Sequence, residues 1–231
     1  MKLGTADEQI MDEQLYGEAV SLQEHPFASQ WNHNTHYYPM LAACIPDSTD
    51  RVLDVGCGEG TFCRYVETGK RVVVGADLDS SVLATSVGEM TSVVASAEAL
   101  PFEDESFAAV TMTMVLHHVH AEQAIAEAGR VLTPGGVLLI LDFGRYGGLR
   151  DAPHELRDVV THRVVSRRMR AWDPPSVQAD PRDTWADSRA MVRNALPGCT
   201  YRRLPGATSS NGASHGRPEQ EQRTLMPHSV R

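Results

Sequence analysis

The chain has 231 residues and carries 21 Lys and Arg against 30 Asp and Glu, a formal net charge of −9. This length suits one globular domain with additional segments, and a hydrophobic content of 42% is enough to build a buried core. The longest uninterrupted aliphatic run, Val137–Leu141, is far shorter than the roughly 20 residues that a transmembrane helix needs. The composition therefore argues against a wholly disordered chain and against a protein that spans a membrane.

The N-terminal residues and the cysteines together predict a cytoplasmic protein. The N-terminal residues lack the apolar region of a secretory signal. Cys44, Cys57, Cys63 and Cys199 form no CxxC pair, and their spacing is not that of a disulfide framework.

Charge is distributed unevenly along the chain. Residues 1–144 carry 6 basic and 21 acidic side chains, a net charge of −15, whereas residues 145–231 carry 15 basic and 9 acidic ones, a net charge of +6. The densest basic cluster consists of Arg163, Arg167, Arg168 and Arg170. No recognition motif and no interleaved aromatic residues accompany these arginines, so a solvated helix face is favoured over a nucleic-acid site.

In chain order, two helical patterns come first, within residues 8–45, and they are broken around Pro26 and Asn32–Asn34. From Asp50 to Phe143, short apolar runs then alternate with helical patterns, which is typical of βαβ units. The predicted strands are Arg51–Val55, Arg71–Ala76, Ser92–Ala95, Ala108–Thr113 and Val137–Phe143, and the predicted helices between them are Thr61–Thr68, Ser80–Met90 and Ala121–Leu132. The pattern predicts an α/β, Rossmann-like, doubly wound and mostly parallel sheet with helices on both faces.

The segment after this alternating region is less regular. Ala152–Arg170 and Asp183–Ala195 are predicted helices, separated by a proline-rich turn, and Cys199–Leu204 is a candidate further strand. Residues 205–231 are polar and rich in Gly, Pro and Ser, so a disordered tail is expected there.

The most specific pattern is a glycine-rich turn between a strand and a helix, in the segment Val52–Thr61. Gly56, Gly58 and Gly60 let backbone approach a ligand closely, and the following helix begins at that point. The next strand ends at Asp77, 17 residues after Gly60, where a carboxylate is suited to accept hydrogen bonds from both ribose hydroxyls. Asp77 has an alternative role as the N-cap of the predicted helix Ser80–Met90. The two elements predict a nucleoside site at the carboxyl edge of the sheet.

The spacing within the loop separates two classes of nucleoside site. A nicotinamide site prefers GxGxxG, whereas this loop is GxGxG and is preceded by Asp54, which would repel a pyrophosphate but suits an ammonium group. The segment Asp54–Gly60 resembles the first motif of the class I S-adenosylmethionine-dependent methyltransferases of the small-molecule, type 11-like group. Three later segments also resemble this family: Ala97–Phe102, Phe107–Val119 and Arg130–Gly136.

This resemblance implies a role for each matching residue. The three glycines would pass beneath the methionine part of S-adenosylmethionine, and Asp54 would orient its ammonium group or the loop. Asp77 would bind the ribose, and Leu78 would pack on the adenine face. Ala97 and Glu98 would line the adenine edge. Met114 and Val115 would lie beside the methionine end. Glu98 is equally compatible with a solvated loop position.

One residue departs from the family pattern. Ser96 stands where the family usually has an acidic residue facing the adenine amino group. A hydroxyl accepts that hydrogen bond more weakly than a carboxylate does, so reduced cofactor affinity is expected. This departure keeps open an alternative function, a non-catalytic cofactor-binding scaffold or sensor.

Methyl transfer from a sulfonium requires mainly proximity, orientation and removal of the acceptor proton. His117, after the fourth strand, is a candidate catalytic base, with a site-lining or packing role as the alternative. His117, His118 and His120 predict no metal site, because their spacing matches no zinc signature and no carboxylate partner is expected nearby. In the N-terminal segment, His36 and Tyr37 come just before a predicted helix and are candidates for the substrate pocket. In the alternative interpretation, they begin an amphipathic helix that packs on the domain.

The resemblance also implies the domain organisation. We expect an N-terminal helical lid over residues 1–50, a methyltransferase domain over residues 51–204, and the tail over residues 205–231. The acceptor is expected to be a small molecule, since the acidic body argues against nucleic acid.

The family's final antiparallel strand has no apolar counterpart after Leu204. Either a frameshift replaced it or the tail is natural. A sheet left open at that edge would favour a homodimer.

Overall fold

The computed structural model describes residues 30–31, 33–86, 90–166, 170–171 and 181–204. The predicted helix before Pro26, the predicted tail, and Arg167 and Arg168 of the basic cluster lie outside the described residues. Within the described ranges, no helix combines the length and the apolar character needed to cross a bilayer.

Five parallel strands form the central sheet. They are β2 (Arg51–Val55), β3 (Val72–Asp77), β4 (Thr91–Val94), β5 (Phe107–Thr113) and β6 (Leu132–Leu141), arranged in the order β4-β3-β2-β5-β6. The chain moves outward in one direction from β2 to β4 and in the other from β5 to β6. A crevice therefore opens between the carboxyl ends of β2 and β5, where ligands bind in such sheets.

Helices cover both faces of the sheet, as expected for a doubly wound fold. The α-helices of the described residues are α1 (His33–Ala43), α2 (Thr61–Val66), α3 (Ser80–Leu83), α4 (Ala121–Val131), α5 (Ala152–Ser166) and α6 (Trp185–Ala195). The two faces are covered by α4 and α6 on one side and by α1 and α2 on the other. Leu53 and Val55 of β2 belong to one hydrophobic core, which includes α4, whereas Val52 belongs to the other, which includes α1 and α2. Because adjacent residues of a strand point to opposite faces, the continuous apolar run of β2 serves both cores.

A short parallel pair of strands forms a second, separate sheet. Its strands are β1 (Gln30–Trp31) and β7 (Arg170–Ala171). This pair holds the residues just before α1 next to the chain that follows α5.

The last strand of the sheet begins earlier than predicted. Leu132 pairs with Phe107, and regular pairing resumes where Val137 meets Ala109, so β6 takes in the Pro134–Gly136 turn as an irregularity. Gly135 has a φ of 78°, which lets the extra residues bend without leaving the edge of the sheet.

The predicted strand Cys199–Leu204 is wrong, because these residues are irregular. Pro197 and Gly198 turn the chain after α6, and Gly198 has a φ of 90°. The segment is held by side chains: the guanidinium of Arg203 lies over the ring of Trp185 at 4.8 Å and donates to Asp151 at 2.7 Å. Within the described residues the sheet ends at β6, and no antiparallel strand closes it.

Candidate functional site

The glycine-rich loop leaves β2 in a conformation that requires glycine. Gly56, Gly58 and Gly60 have φ values of 70°, 56° and 81°. A Cβ at Gly56 would lie 2.3 Å from Cγ2 of Val115, on the loop after β5. Gly56 therefore allows the loops that follow the two central strands to touch, and this contact forms the floor of the crevice.

Asp77 links the second strand to this loop. Its Oδ2 accepts a hydrogen bond from the backbone N–H of Gly58 at 2.8 Å, and its Oδ1 accepts one from Asp79 N–H at 2.9 Å. The N-cap of α3 is Asp79, whose carboxylate accepts from Ser81 N–H at 2.8 Å. The alternative in which Asp77 caps this helix is therefore wrong, because Asp79 occupies that position.

Asp54 lies beneath the loop and is 2% exposed. Its Oδ1 accepts from the hydroxyl of Thr111 at 2.7 Å, and its Oδ2 accepts from the thiol of Cys63 at 3.4 Å. Burial raises the pKa of Asp54 to about 7, although both hydrogen bonds act in the opposite direction. Both oxygens of its carboxyl group therefore accept hydrogen bonds from buried residues below the loop.

The predicted adenine side is formed by Leu78 and by the turn after β4. Leu78 follows Asp77 and is 71% exposed, an unusual position for a large apolar side chain. In the turn, Ser96 Oγ accepts from Glu98 N–H at 3.2 Å, and Ala97 is buried. Glu98 Oε1 accepts from His120 N–H at 2.6 Å, so its carboxylate lies at the N-terminus of α4.

The residues after β5 lie on the other side of the crevice. Met114 has a φ of 59°, uncommon for a residue with a side chain, and its N–H donates to Leu141 O at 2.7 Å. Val115 is 7% exposed and contacts the glycine loop as described above. Of the two predicted methionine-side residues, Val115 therefore lies next to Gly56.

His117 follows in a short 3-10 turn and faces a carboxylate that lies 25 residues further along the chain. Its Nδ1 is 2.5 Å from Oδ1 of Asp142, the residue directly after β6. The expectation that no carboxylate lies near this histidine run is therefore wrong, since the fold brings two adjacent strand ends together. The ring of His118 stacks on that of His117 with centroids 4.1 Å apart.

His36 and Tyr37 lie inside helix α1, which begins at His33 and contains Pro39. The prediction that these two residues come just before a helix is therefore wrong. Tyr37 is 3% exposed, and its ring meets that of His36 edge-on at 4.8 Å. Helix α1 packs against α2, where the next residue, Tyr38, contacts Phe62 with ring centroids 4.8 Å apart. Tyr37 is thus a core residue that supports the helix after the glycine loop.

Comparison with known proteins matches the same part of the chain. Residues 53–140 match a family described as a methyltransferase domain. An uncharacterized methyltransferase of Mycobacterium tuberculosis is 31% identical over 184 residues, which cover 75% of this chain and 91% of the relative. The chain belongs to the class I S-adenosylmethionine-dependent methyltransferases.

Other methyltransferases match over a shorter length. The ubiquinone/menaquinone biosynthesis C-methyltransferase UbiE of Erwinia tasmaniensis is 42% identical over 110 residues, which cover 41% of this chain and 43% of UbiE. A crystal structure of a methyltransferase from Bacillus halodurans is 27% identical, covers 68% of this chain and 65% of its own, and has a TM-score of 0.47.

The crevice suits the cofactor that this methyltransferase family uses. Among the described residues, a Cβ at Gly58 would meet only Val82, at 3.9 Å, so the loop presents bare backbone there. Each carboxylate oxygen of Asp77 accepts one backbone hydrogen bond and has capacity for another. The exposed Leu78 stands beside this carboxylate, as an apolar surface for a base.

Two residues of the site were missed by the sequence analysis. Thr111 satisfies the buried Asp54 from the neighbouring strand, and Asp142 pairs with His117. The position of Asp142 offered a signal, because it is an acidic residue directly after the aliphatic run Val137–Leu141, as Asp77 is after the run that ends at Ala76.

Proposed function

We propose that this methyltransferase binds S-adenosylmethionine at the glycine loop and transfers its methyl group to a small-molecule acceptor. The observation that carries the proposal is the hydrogen bond from Gly58 N–H to Asp77, which joins the glycine loop to the acidic residue of the next strand. The glycine loop follows β2, at the point where the strand order reverses, and Asp77 ends the neighbouring strand β3.

In this proposal the chain acts mainly by binding and orientation. When bound, the cofactor supplies a methyl group attached to a good leaving group. The glycines let backbone approach the methionine part, Asp77 accepts from the ribose, Leu78 and the turn at Ser96–Glu98 contact the adenine, and Met114 and Val115 lie beside the methionine end. Because Thr111 and Cys63 engage the carboxyl of Asp54, we assign Asp54 to supporting the loop.

The acceptor class is supported by charge. The body of the chain, residues 1–144, has a net charge of −15, which opposes binding of nucleic acid. UbiE is named a C-methyltransferase, but its similarity covers only 41% of this chain. We further propose a methyltransferase domain over residues 51–204 preceded by a helical lid, a cytoplasmic location, and a homodimer.

Calorimetric titration with S-adenosylmethionine and with its demethylated product tests the site. Asp77→Ala should weaken binding of both ligands about 10-fold to 100-fold, because it removes hydrogen bonds to a charged group. Asp47→Ala removes an equal charge from an exposed turn and should leave binding unchanged. Native-like thermal unfolding of Asp77→Ala would separate lost binding from lost folding. A folded native chain that binds neither ligand would contradict the proposal.

Turnover separates the methyltransferase from the scaffold or sensor considered in the sequence analysis. A broad panel of small acceptors incubated with tritium-labelled S-adenosylmethionine should yield labelled product. Binding without labelled product from any member of the panel would favour the non-catalytic role.

A further inference from the structure

The carboxylate of Asp142 makes two polar contacts with His117, one to its ring and one to its backbone, and a third with the backbone of Phe143. Oδ1 of Asp142 lies 2.5 Å from the ring Nδ1 of His117, and Oδ2 accepts from the backbone N–H of His117 at 3.2 Å. Oδ1 also accepts from Phe143 N–H at 2.6 Å, which fixes the carboxylate itself. The imidazole ring is thus tied to the adjacent strand end in one orientation.

This contact decides which ring nitrogen carries a proton. An ionised carboxylate only accepts hydrogen bonds, so Nδ1 must be the donor. In the neutral ring, Nε2 then keeps its lone pair and can take up a proton. The side chains of His117 and Asp142 are 7% and 14% exposed, so the pair is largely shielded from water.

The pair lies beside the proposed cofactor site. His117 is two residues after Val115, which touches Gly56, and Asp142 directly follows the strand that pairs with β5. Burial and the charge of His117 lower the pKa of the neighbouring His118, while the negative charges of Asp142 and Asp77 act on the same ring in the opposite direction. The ring of His118 is therefore within electrostatic range of the carboxylate assigned to the ribose.

We propose that the acceptor is a hydroxyl compound, a phenol or an alcohol, and that Asp142 is a positioning residue which presents Nε2 of His117 as the base. The inference rests on the proposed function. The hydroxyl proton passes to Nε2 while an oxygen lone pair forms the new bond to the methyl carbon. The carbon–sulfur bond of the donor breaks and its electron pair stays on sulfur. The imidazolium, stabilised by Asp142, later releases the proton to water.

The chemistry of amine acceptors explains why a hydroxyl is favoured over an amine. A neutral amine attacks with a free lone pair and loses its proton afterwards, so a base adds little to its transition state. A hydroxyl oxygen is a weak nucleophile until its proton is removed, and a positioned histidine contributes most in that case. The Nδ1–Asp142 contact, which stabilises a cationic ring, is the arrangement that such a proton transfer needs.

Nitrogen-15 NMR of histidine-labelled protein tests the positioning without any acceptor. The ring of His117 in the native chain should carry its proton on Nδ1 at neutral to alkaline pH. In Asp142→Asn, which keeps the shape but removes the charge, a substantial share of the ring should shift to the Nε2–H form. A native ring with its neutral-state proton on Nε2 would overturn the proposal whatever the activity.

Kinetics with a series of phenols tests the base. For weakly acidic phenols, His117→Asn and Asp142→Asn should each lower kcat about 100-fold or more, with the KM for S-adenosylmethionine unchanged. For a nitrophenol already ionised at the assay pH, both losses should shrink to a few-fold. His154→Asn, on the exposed face of α5, is the matched control and should retain native rates.

The outcomes separate this inference from the proposed function. Failure to bind S-adenosylmethionine contradicts the proposed function. Transfer only to amines or carbon acids, or equal rate losses with ionised and neutral phenols, overturns the hydroxyl assignment while leaving methyl transfer intact.

Discussion

A buried acid beneath the glycine loop gives the chain a pH-dependent stability. The pKa of Asp54 is raised by burial from 3.8 to about 7, so the folded state holds its proton more tightly than the unfolded state does. The stabilisation is complete below about pH 4 and is lost as pH rises toward 7, by on the order of 4 kcal/mol. Urea unfolding of native chain and Asp54→Asn between pH 4.5 and 8 should show a larger loss of stability with rising pH in the native chain than in the variant.

The quantity to compare between the native chain and Asp54→Asn is how steeply the unfolding free energy changes with pH, not its absolute value. The amide introduced by Asp54→Asn would keep an oxygen for the hydroxyl of Thr111 but has no proton to lose, so the stability of the variant should change less across this range. Parallel curves for the two proteins would mean that Asp54 has an ordinary pKa when folded.

Gly56 is predicted to be intolerant of even one added methyl group. Gly56→Ala places a Cβ 2.3 Å from Val115 and forces an L residue to a φ of 70°. The variant should lose about 2 kcal/mol of unfolding free energy, measured by urea denaturation, and should bind S-adenosylmethionine more weakly. Gly69→Ala, in an exposed turn with nothing within 4 Å of the new Cβ, should be near native.

A second variant separates the two causes at Gly56. Adding Val115→Ala removes the steric clash but leaves the backbone strain, so the double variant should recover only part of the loss. A native-like Gly56→Ala single variant would show that the two loops do not meet as described.

Local signals predicted some site residues, and only the fold could supply others. Gly56 and Asp77 were found because their roles depend on backbone geometry next to a strand end, which a short segment encodes. Asp142 is 25 residues from His117, and Thr111 is 57 residues from Asp54. Such pairings depend on which strands become neighbours, and no local pattern contains that information.

Among the secondary-structure elements, two glycines test whether the backbone conformation alone determines how a Gly→Ala substitution changes the unfolding free energy. Gly129 is an exposed residue inside helix α4, and Gly135 has a φ of 78° within the irregular start of β6. Nothing lies within 4 Å of a Cβ at either residue. Gly129→Ala should raise the unfolding free energy by about 0.5–1 kcal/mol, whereas Gly135→Ala should lower it by about 1–2 kcal/mol.

Thermal or urea unfolding of the two variants under identical conditions measures this difference. Each acts as the control for the other, since both replace hydrogen by methyl in open space. Shifts of the same sign would contradict the backbone explanation.

The strands were easier to predict than the irregular C-terminal segment. Apolar runs such as Val72–Val74 predict a strand because both faces of the parallel sheet are covered. The segment Cys199–Leu204 has a similar mixture of apolar and β-favouring residues, yet it is irregular. Its conformation is set by Arg203, which stacks on Trp185 and pairs with Asp151. These tertiary contacts outweigh local strand propensity.

For the whole molecule, the order of the strands unites the fold with the proposed function. The crevice exists because β2 and β5 are neighbours while their connections run to opposite sides of the sheet. The glycine loop, the loop after β5 and the His117–Asp142 pair all follow carboxyl ends of strands. A parallel sheet thus gathers at one edge residues that are up to 88 positions apart, from Asp54 to Asp142.

The same topology leaves a long open edge on β6, which has ten residues and no outer neighbour among the described strands. Unpaired N–H and C=O groups on such an edge favour association with another chain. We expect a homodimer paired through β6, and sedimentation velocity should detect it as the concentration rises. Hydrogen exchange should then slow with concentration in Val137–Leu141 and not in Thr91–Val94, the strand at the opposite edge. A monomer at all concentrations, or slowing confined to β4, would contradict this assembly.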